Sequence, residues 1–433
     1  MAADGGAPDT VSTVRAAAFA VLDRRLDPNS AAPVTVGLSG GGDSLALLVF
    51  ALDWARAAGR TVLALTVDHR LNPDSARWTA EAGAKARALG ADWRALEWSG
   101  PKPSTGLPAA ARRARHALLA EAARAVGASV VLLGHTADDV AESALIRRET
   151  PSHGGLRDWA PSPVWPQGRG VFLLRPLLAV RRRALRDVLS AGGMGWLDDP
   201  ANADTRFARP RARQALREGE PVRVPLEAAL GRERAPSAFE VGADGVVSLG
   251  VAALAADRRR LARAICCAAG TEVPPSGAAL ARIAGRLGAG GAGIVTLGGA
   301  RMVFDDGGVT LCRELGRRPP AALALPPGEP VVFDGRFEVR ADAPGWRVAP
   351  LAGHAARLER ADRRGLAGVA ALARPALPVL VGEGDVARLP LPFGGGPGEA
   401  RELVSGRLAA AFCRIDSEVD LARNTQACAV HGA

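Results

Sequence analysis

Runs of continuous hydrophobicity alternate with helical periodicity over the first 136 residues of the chain. Residues 33–39 (PVTVGLS), 61–69 (TVLALTVDH) and 129–136 (SVVLLGHT) are short, apolar and rich in β-branched side chains, and 92–98 is a weaker run of the same kind. Residues 43–58, 75–89, 107–126 and 137–148 instead bring apolar positions back every three to four residues. Strands that are apolar on both faces, spaced by helices of this length, predict an α/β fold. It is a Rossmann-like parallel sheet with helices on both faces and right-handed connections.

Beyond this stretch the pattern loosens. Residues 150–170, rich in Pro, Gly and Trp, predict a loop; 171–178 reads as extended, and 181–191 as a short helix stopped by Gly192-Gly193. Residues 217–245 have the look of a linker. Helices are expected over 251–270 and 276–287, a hairpin over 294–297 and 301–311 turning through Gly298-Gly299, short strands over 330–340, Gly/Pro loops over 382–398 and a helical segment near 401–412. The expected organisation is a first domain over 1–217, a linker with a helical and hairpin domain over 218–320, and a smaller mixed C-terminal domain over 321–433.

Composition narrows the class. With 433 residues, 48% of them apolar, and a mean hydropathy of +0.06, the chain has material for two or three globular domains, which excludes fibrous and wholly disordered classes. No apolar stretch reaches the ~18 residues that span a bilayer, and the first residues lack a signal-peptide profile. Cys266, Cys267, Cys312, Cys413 and Cys428 form no CxxC pair and no zinc spacing, so a cytoplasmic location is expected. Net charge is +10 and uneven: residues 101–217 carry 19 basic against 10 acidic side chains, 1–100 carry 10 against 11, and 218–433 carry 26 against 24. An Arg-rich composition with lysine only at Lys85 and Lys102 raises base content everywhere but does not cluster it. The clustering predicts an anion-binding or nucleic-acid surface.

The strongest chemical signal is Ser39-Gly40-Gly41-Gly42-Asp43-Ser44, between the first buried strand and a helix. Ligands of open parallel sheets bind beyond the carboxyl ends of the strands. A glycine run there lets backbone N–H groups turn toward an anion, the next helix adds its positive end, Ser39 and Ser44 add hydroxyls, and Asp43 suits Mg²⁺ held against phosphate. It is not a Walker A loop, since GxxxxGK[ST] is absent. A GxGxxG string at 288–293 follows a helix and precedes a strand, the reverse of the dinucleotide context. At the end of the last strand of this stretch, Asp138, Asp139 and Glu142 lie within about one helical turn, so two of the three can share a face for metal or acid–base duty.

SGGxDS in this position resembles the PP-loop of the ATP-pyrophosphatase superfamily. Together with 67–71 (VDHRL), 134–143 (GHTADDVAES), 175–178 (RPLL), 199–204 (DPANAD) and 111–116 (ARRARH, against the family's ARxxRY), it is similar to the tRNA(Ile)-lysidine synthase family over residues 30–215. Strings at 296–301 (TLGGAR) and 334–336 match more weakly. The resemblance implies use of ATP and Mg²⁺, adenylation of the wobble cytidine of tRNA(Ile) with a CAU anticodon, and displacement of AMP by the ε-amine of free L-lysine. On this reading Ser39 to Ser44 hold ATP, and Asp43 and Asp139 hold the metal. Asp43, Asp138, Asp139, Arg112 and Arg115 form the catalytic set. Arg112, Arg115, Arg181, Arg182, Arg209, Arg211 and Arg213 face the RNA. Neither a membrane nor an obligate protein partner is implied. The chain departs from the family pattern at Arg70 (usually Gly), His116 (usually Tyr), Ser143 (usually Thr), Pro210 and the 147–159 loop. PP-loop thiolases need cysteines or an iron–sulfur cluster near this domain, and no cysteine precedes Cys266. Two alternatives stay open: a PP-loop ligase that adenylates a small molecule, and a non-catalytic nucleotide- and RNA-binding protein.

Overall fold

The computed structural model describes residues 10–149, 155–197, 208–218 and 238–430. The 199–204 string, Arg206 and most of the predicted linker lie outside them. The chain forms two compact units, Met1–Glu233 with Asp416–Leu421, and Arg234–Ile415 with Ala422–Ala433.

In the first unit, α1 (Thr10–Arg25) precedes β1 (Val34–Gly37), α2 (Gly42–Ala58), β2 (Val62–Asp68), α3 (Ser75–Ala88), β3 (Asp92–Glu97), α4 (Leu107–Ala125), β4 (Val130–Leu133) and α5 (Ala137–Glu149). β5 (Trp159–Pro161), β6 (Phe172–Leu174), α6 (Arg182–Ala191) and α7 (Ala208–Glu218) follow. The sheet order is β3-β2-β1-β4-β6-β5, parallel except for the edge strand β5. Leu63, Leu65, Val131, Leu133 and Leu173 share one face and pack on Leu119, Ala120 and Ala123 of α4. The alternate residues Val34 and Val36 are buried as well, and α2 packs on β1, β2 and β4. Helices on both faces explain why these strands carry no polar alternation. Because β1 lies between β2 and β4, the chain winds away from β1 in both directions, and a crevice opens at the carboxyl ends of β1 and β4.

Three elements depart from the expectations drawn above. α1 was not expected, and its buried Val14, Ala18 and Leu22 recur every four residues. The predicted 150–170 loop contains β5, which adds an antiparallel edge through Trp159↔Leu174. α7 was likewise not expected, and Pro210 stands in its first turn, where no intrahelical donor is lost.

The Asp416–Leu421 segment is fastened to the first unit by a buried clasp. Arg60 Nη1 donates to Glu418 Oε2 (2.8 Å) and Nη2 to Oε1 (3.0 Å), and the Asp27 N–H donates to the same Oε2 (2.9 Å). Arg60 also caps the Ala32 and Asp27 carbonyls, so the clasp grips the amino-terminal ends of β1 and β2, away from the crevice.

The second unit holds two cores. Around one, helices Arg258–Ala269 and Gly277–Gly288 cover a sheet of β7 (Phe239–Val241), β8 (Val247–Leu249), β9 (Gly293–Leu297), β10 (Ala300–Asp305) and β11 (Gly308–Arg313). The expected helix over 251–270 is broken at Asp257, whose carboxylate accepts from Arg259 N (2.9 Å) and starts the second helix. The extended run 301–311 is two strands, folded at Asp305-Asp306-Gly307. The segment near 401–412 opens with a strand, Gly398–Glu402, before its helix, Val404–Ala411. Cys266 and Cys267 are buried free thiols in a helix. The other core, Leu325 to Ala400, closes two small antiparallel sheets. Among the described residues no helix is long and apolar enough to cross a membrane.

Candidate active site

The loop after β1 is shaped by its glycines and serines. Gly40 has φ +85°, a conformation that favours glycine, and Gly41 caps α2. The N–H groups of Gly42, Asp43 and Ser44 open the helix and have no carbonyl one turn back within it. Ser44 Oγ donates to the Gly41 carbonyl (2.9 Å) and accepts from the Ser39 N–H (3.2 Å), and the two serine hydroxyls lie 3.1 Å apart. Beyond β4, Gly134 comes so close to α2 that a Cβ there would sit 2.9 Å from the Asp43 carbonyl oxygen. Glycine at 134 lets the two strand ends share one crevice.

That crevice is a cavity of about 1080 Å³, lined at one end by Ser39, Gly41, Gly42, Asp43 and Ser44, and elsewhere by Asp139, Arg115, Arg182, Arg209 and Arg213. One cluster of charges at and behind its wall is centred on Arg182. Arg182 Nε donates to Asp43 Oδ2 (2.7 Å), Nη2 to Asp139 Oδ2 (3.3 Å) and Nη1 to Glu142 Oε1 (3.4 Å), and Arg213 Nε reaches the same Glu142 oxygen (2.9 Å). Glu142 is 1% exposed, and its Oε2 has no hydrogen-bond partner among the described residues. Burial raises the Asp43 carboxyl above its usual range, and Arg182 opposes this without cancelling it. Burial alone would lower the Arg182 value, but Asp139, Asp43 and Glu142 outweigh it and raise it.

A second cluster is basic. Burial, then Arg112 and Arg209, push Arg115 down to about 10; burial, then Arg112 and Arg115, push Arg175 to the same value. Arg115 Nε is buried without a partner, and no carboxylate contacts Arg112, Arg115 or Arg209 among the described residues. Like charges gathered without counter-ions need an anion. Arg175 Nε donates to His135 Nδ1 (3.2 Å). Burial and the surrounding arginines hold His135 far below the usual imidazole range, so its ring is neutral with the proton on Nε2.

Of the residues singled out from sequence, Ser39, Gly41, Gly42, Asp43, Ser44, Asp139, Arg115, Arg182, Arg209 and Arg213 meet around this cavity. The Gly40 carbonyl turns away and accepts from the Leu197 N–H (3.0 Å). Asp138 accepts from the Arg182 N–H (2.8 Å) and so docks α6 onto α5. Asp139 also reaches back over the start of α5, accepting from Thr136 N (2.8 Å) and Oγ1 (2.9 Å). Arg112, Arg181 and Arg211 are exposed and do not line the cavity. Glu142, named from sequence beside Asp138 and Asp139, does not line the cavity and instead accepts from Arg182 and Arg213, which do. Sequence reasoning passed over Trp196 and Leu197, which carried no pattern.

A PP-loop domain family model matches residues 16–219. The chain is 49% identical over 410 residues to a tRNA(Ile)-lysidine synthase of Caulobacter vibrioides, covering 92% of this chain and 98% of that protein. Enzymes of the same name from Hyphomonas neptunium (38% identity, 71% of this chain and 88% of that one) and Rhizobium meliloti (36%, 73% and 75%) are also similar. The chain belongs to the tRNA(Ile)-lysidine synthase family.

Two departures from that family's motifs find their place in the structure. Arg70 takes φ 52°, where the usual glycine is unstrained, and is held by its N–H to Asp68 Oδ1 (2.8 Å) and by an ion pair with Glu97 (2.7 Å). His116 is 1% exposed, neither ring nitrogen has a hydrogen-bond partner among the described residues, and burial, then Arg115, Arg112 and Arg175, push its pKa down to about 2. The unfolded chain protonates this ring near pH 6.5 and the folded chain does not. Stability therefore falls as pH drops below 6.5, by up to about 1.4 kcal/mol per pH unit. His116→Phe should flatten the melting-temperature profile between pH 6.5 and 5; an unchanged slope would clear His116 of causing it.

Proposed function

We propose that this family member ligates free L-lysine to C2 of the wobble cytidine of tRNA(Ile) with a CAU anticodon. One observation carries the reading: a single cavity is lined by the residues whose N–H groups open α2, by the carboxylates Asp43 and Asp139, and by Arg115 and Arg209, which no carboxylate contacts among the described residues. It suits a polyphosphate and a cationic amine together.

The chain's own groups divide the work. The N–H groups of Gly42, Asp43 and Ser44 hold the ATP phosphates at the start of α2. Arg115 and Arg209 take the phosphate of the target nucleotide or the charge growing at the α-phosphate. The C2 oxygen attacks the α-phosphorus, the α–β bridging bond breaks and pyrophosphate leaves. The lysine ε-amine, its proton released to water, then bonds to C2 as the C2–O bond breaks and AMP departs with the oxygen. The oxygen leaves as part of a phosphate, so no protein nucleophile is needed. His135, with Nδ1 occupied, serves as an Nε2 donor and not as a base.

Mg²⁺ fits the oxygen-only donors Asp43 and Asp139. No group of three or more His, Cys, Asp or Glu among the described residues is arranged to hold a metal ion, but Mg²⁺ commonly needs only one or two carboxylates beside phosphates and water. When bound, it would neutralise phosphate charge. Exposed Arg112, Arg181 and Arg211 are assigned to the RNA backbone. The same reading supposes a cytoplasmic enzyme without an obligate protein partner, with domains over 1–217, 218–320 and 321–433, the last contributing to tRNA contacts.

The direct test is incubation with ATP, Mg²⁺, labelled lysine and a CAU tRNA(Ile) transcript, followed by nucleoside analysis. Label at the wobble position is expected. AMP formed without labelled RNA would favour a small-molecule ligase, and tRNA binding without pyrophosphate release a non-catalytic protein.

A further inference from the structure

The glycines of the phosphate loop are explained only partly by the ligand they face. A Cβ on Gly40 would lie 2.6 Å from Leu197 Cδ1, and one on Gly42 would lie 3.3 Å from Trp196 Cγ. The side of the loop that lacks Cβ atoms is thus filled by protein, a two-residue strap that follows α6. The strap is itself tied down: Lys85 Nζ donates to the Gly195 carbonyl (2.8 Å), the Met194 N–H donates to the Leu189 carbonyl at the end of α6 (2.9 Å), and the Arg186 guanidinium lies 5.7 Å from the Trp196 ring centroid.

The decisive contact is the Leu197 N–H on the Gly40 carbonyl (3.0 Å). In a trans peptide the C=O and the following N–H point in opposite directions. Anchoring the Gly40 oxygen on the strap therefore aims the Gly41 N–H the other way, and Gly41 lines the cavity. Gly40 sits at φ +85°, a region in which glycine has several accessible conformations. Without the anchor, that peptide could rotate and present a carbonyl oxygen to an incoming phosphate.

We propose that Trp196 and Leu197 form a positioning strap that sets the direction of the Gly41 N–H, so that Trp196 and Lys85, neither of which lines the cavity, control affinity for ATP. The proposal rests on the reading of this loop as the ATP site. A lone packing role for Trp196 would affect stability; a positioning role affects nucleotide binding in particular.

The test uses the full chain, with ATP affinity measured by calorimetry and steady-state kinetics beside it. Trp196→Ala should weaken ATP binding about tenfold, the scale of one charge-assisted hydrogen bond, with kcat at saturating ATP within threefold and tRNA affinity unchanged. Trp196→Phe, which keeps a ring over Gly42, should recover most of the loss. Lys85→Met, on the surface, should weaken ATP in the same direction by a few-fold and decides the matter if Trp196→Ala does not fold. Gly42→Ala should weaken ATP binding in the parent, where its methyl presses on the indole, and add little in Trp196→Ala. Parent-like ATP affinity in both Trp196→Ala and Lys85→Met, or independent multiplication of the Gly42 and Trp196 effects, would overturn the strap while leaving the ATP site standing. Failure of the parent itself to bind ATP would overturn the site reading and the strap with it.

Discussion

Asp43→Asn is expected to cut pyrophosphate release by about a hundredfold or more, while tRNA affinity stays within twofold and the melting temperature holds or rises. The opposite signs follow from one environment. Asp43 stands in the first turn of α2 at the wall of the cavity, and burial raises its pKa despite Arg182. A carboxyl whose folded value is raised favours the folded state below its unfolded pKa and loses that contribution as pH rises through the folded value. At neutral pH its ionised form is a net cost to stability, and asparagine removes that cost together with the charge that the proposed reaction uses. Unchanged turnover in Asp43→Asn would take this residue out of the site. A large fall in melting temperature would mean that its pairing with Arg182 outweighs its burial.

Glu418→Ala should lower the stability of the first unit by about 3–5 kcal/mol, because it leaves Arg60 buried without its partner. The two side chains are 3% and 6% exposed and meet through two hydrogen bonds. Since they grip the amino-terminal ends of β1 and β2, kcat measured well below the melting temperature should remain within twofold. Urea unfolding followed by circular dichroism measures the first quantity. A loss under 1 kcal/mol would show that water reaches Arg60 and replaces the carboxylate. Arg60→Met with Glu418→Leu should regain part of the loss, since an apolar pair leaves no stranded charge but still uncaps the Ala32 and Asp27 carbonyls.

The sheet and the phosphate loop could be read in advance because each has a local cause. A β-branched run such as 33–39 buries itself whatever surrounds it, and three glycines before a helix have few other uses. The arginines were not separable in this way. Arg181, Arg182 and Arg183 are equivalent in a string, yet only Arg182 is turned among Asp43, Asp139 and Glu142, a choice made by how α6 docks on α5 through Asp138. Asp138 and Asp139 are likewise adjacent and alike, and one anchors a helix while the other lines the cavity. The breaks at Asp257 and at Asp305-Asp306-Gly307 were legible from turn chemistry but were hidden inside longer apolar runs. The strap at Trp196 had no motif at all, because its role depends on the backbone it lies against.

Arg60 and Glu418 are 358 positions apart. On a ribosome adding about 5 to 20 residues per second, that separation is roughly 20 to 70 seconds of synthesis. The unit translated first is therefore finished late, and until the carboxylate emerges the nascent sheet carries a guanidinium that must stay in water. A message broken after the codon for Gln214 and before that for Glu418 would yield a polypeptide that carries every residue lining the cavity and no means of sealing its own base. Such a fragment is a natural target for cellular quality control.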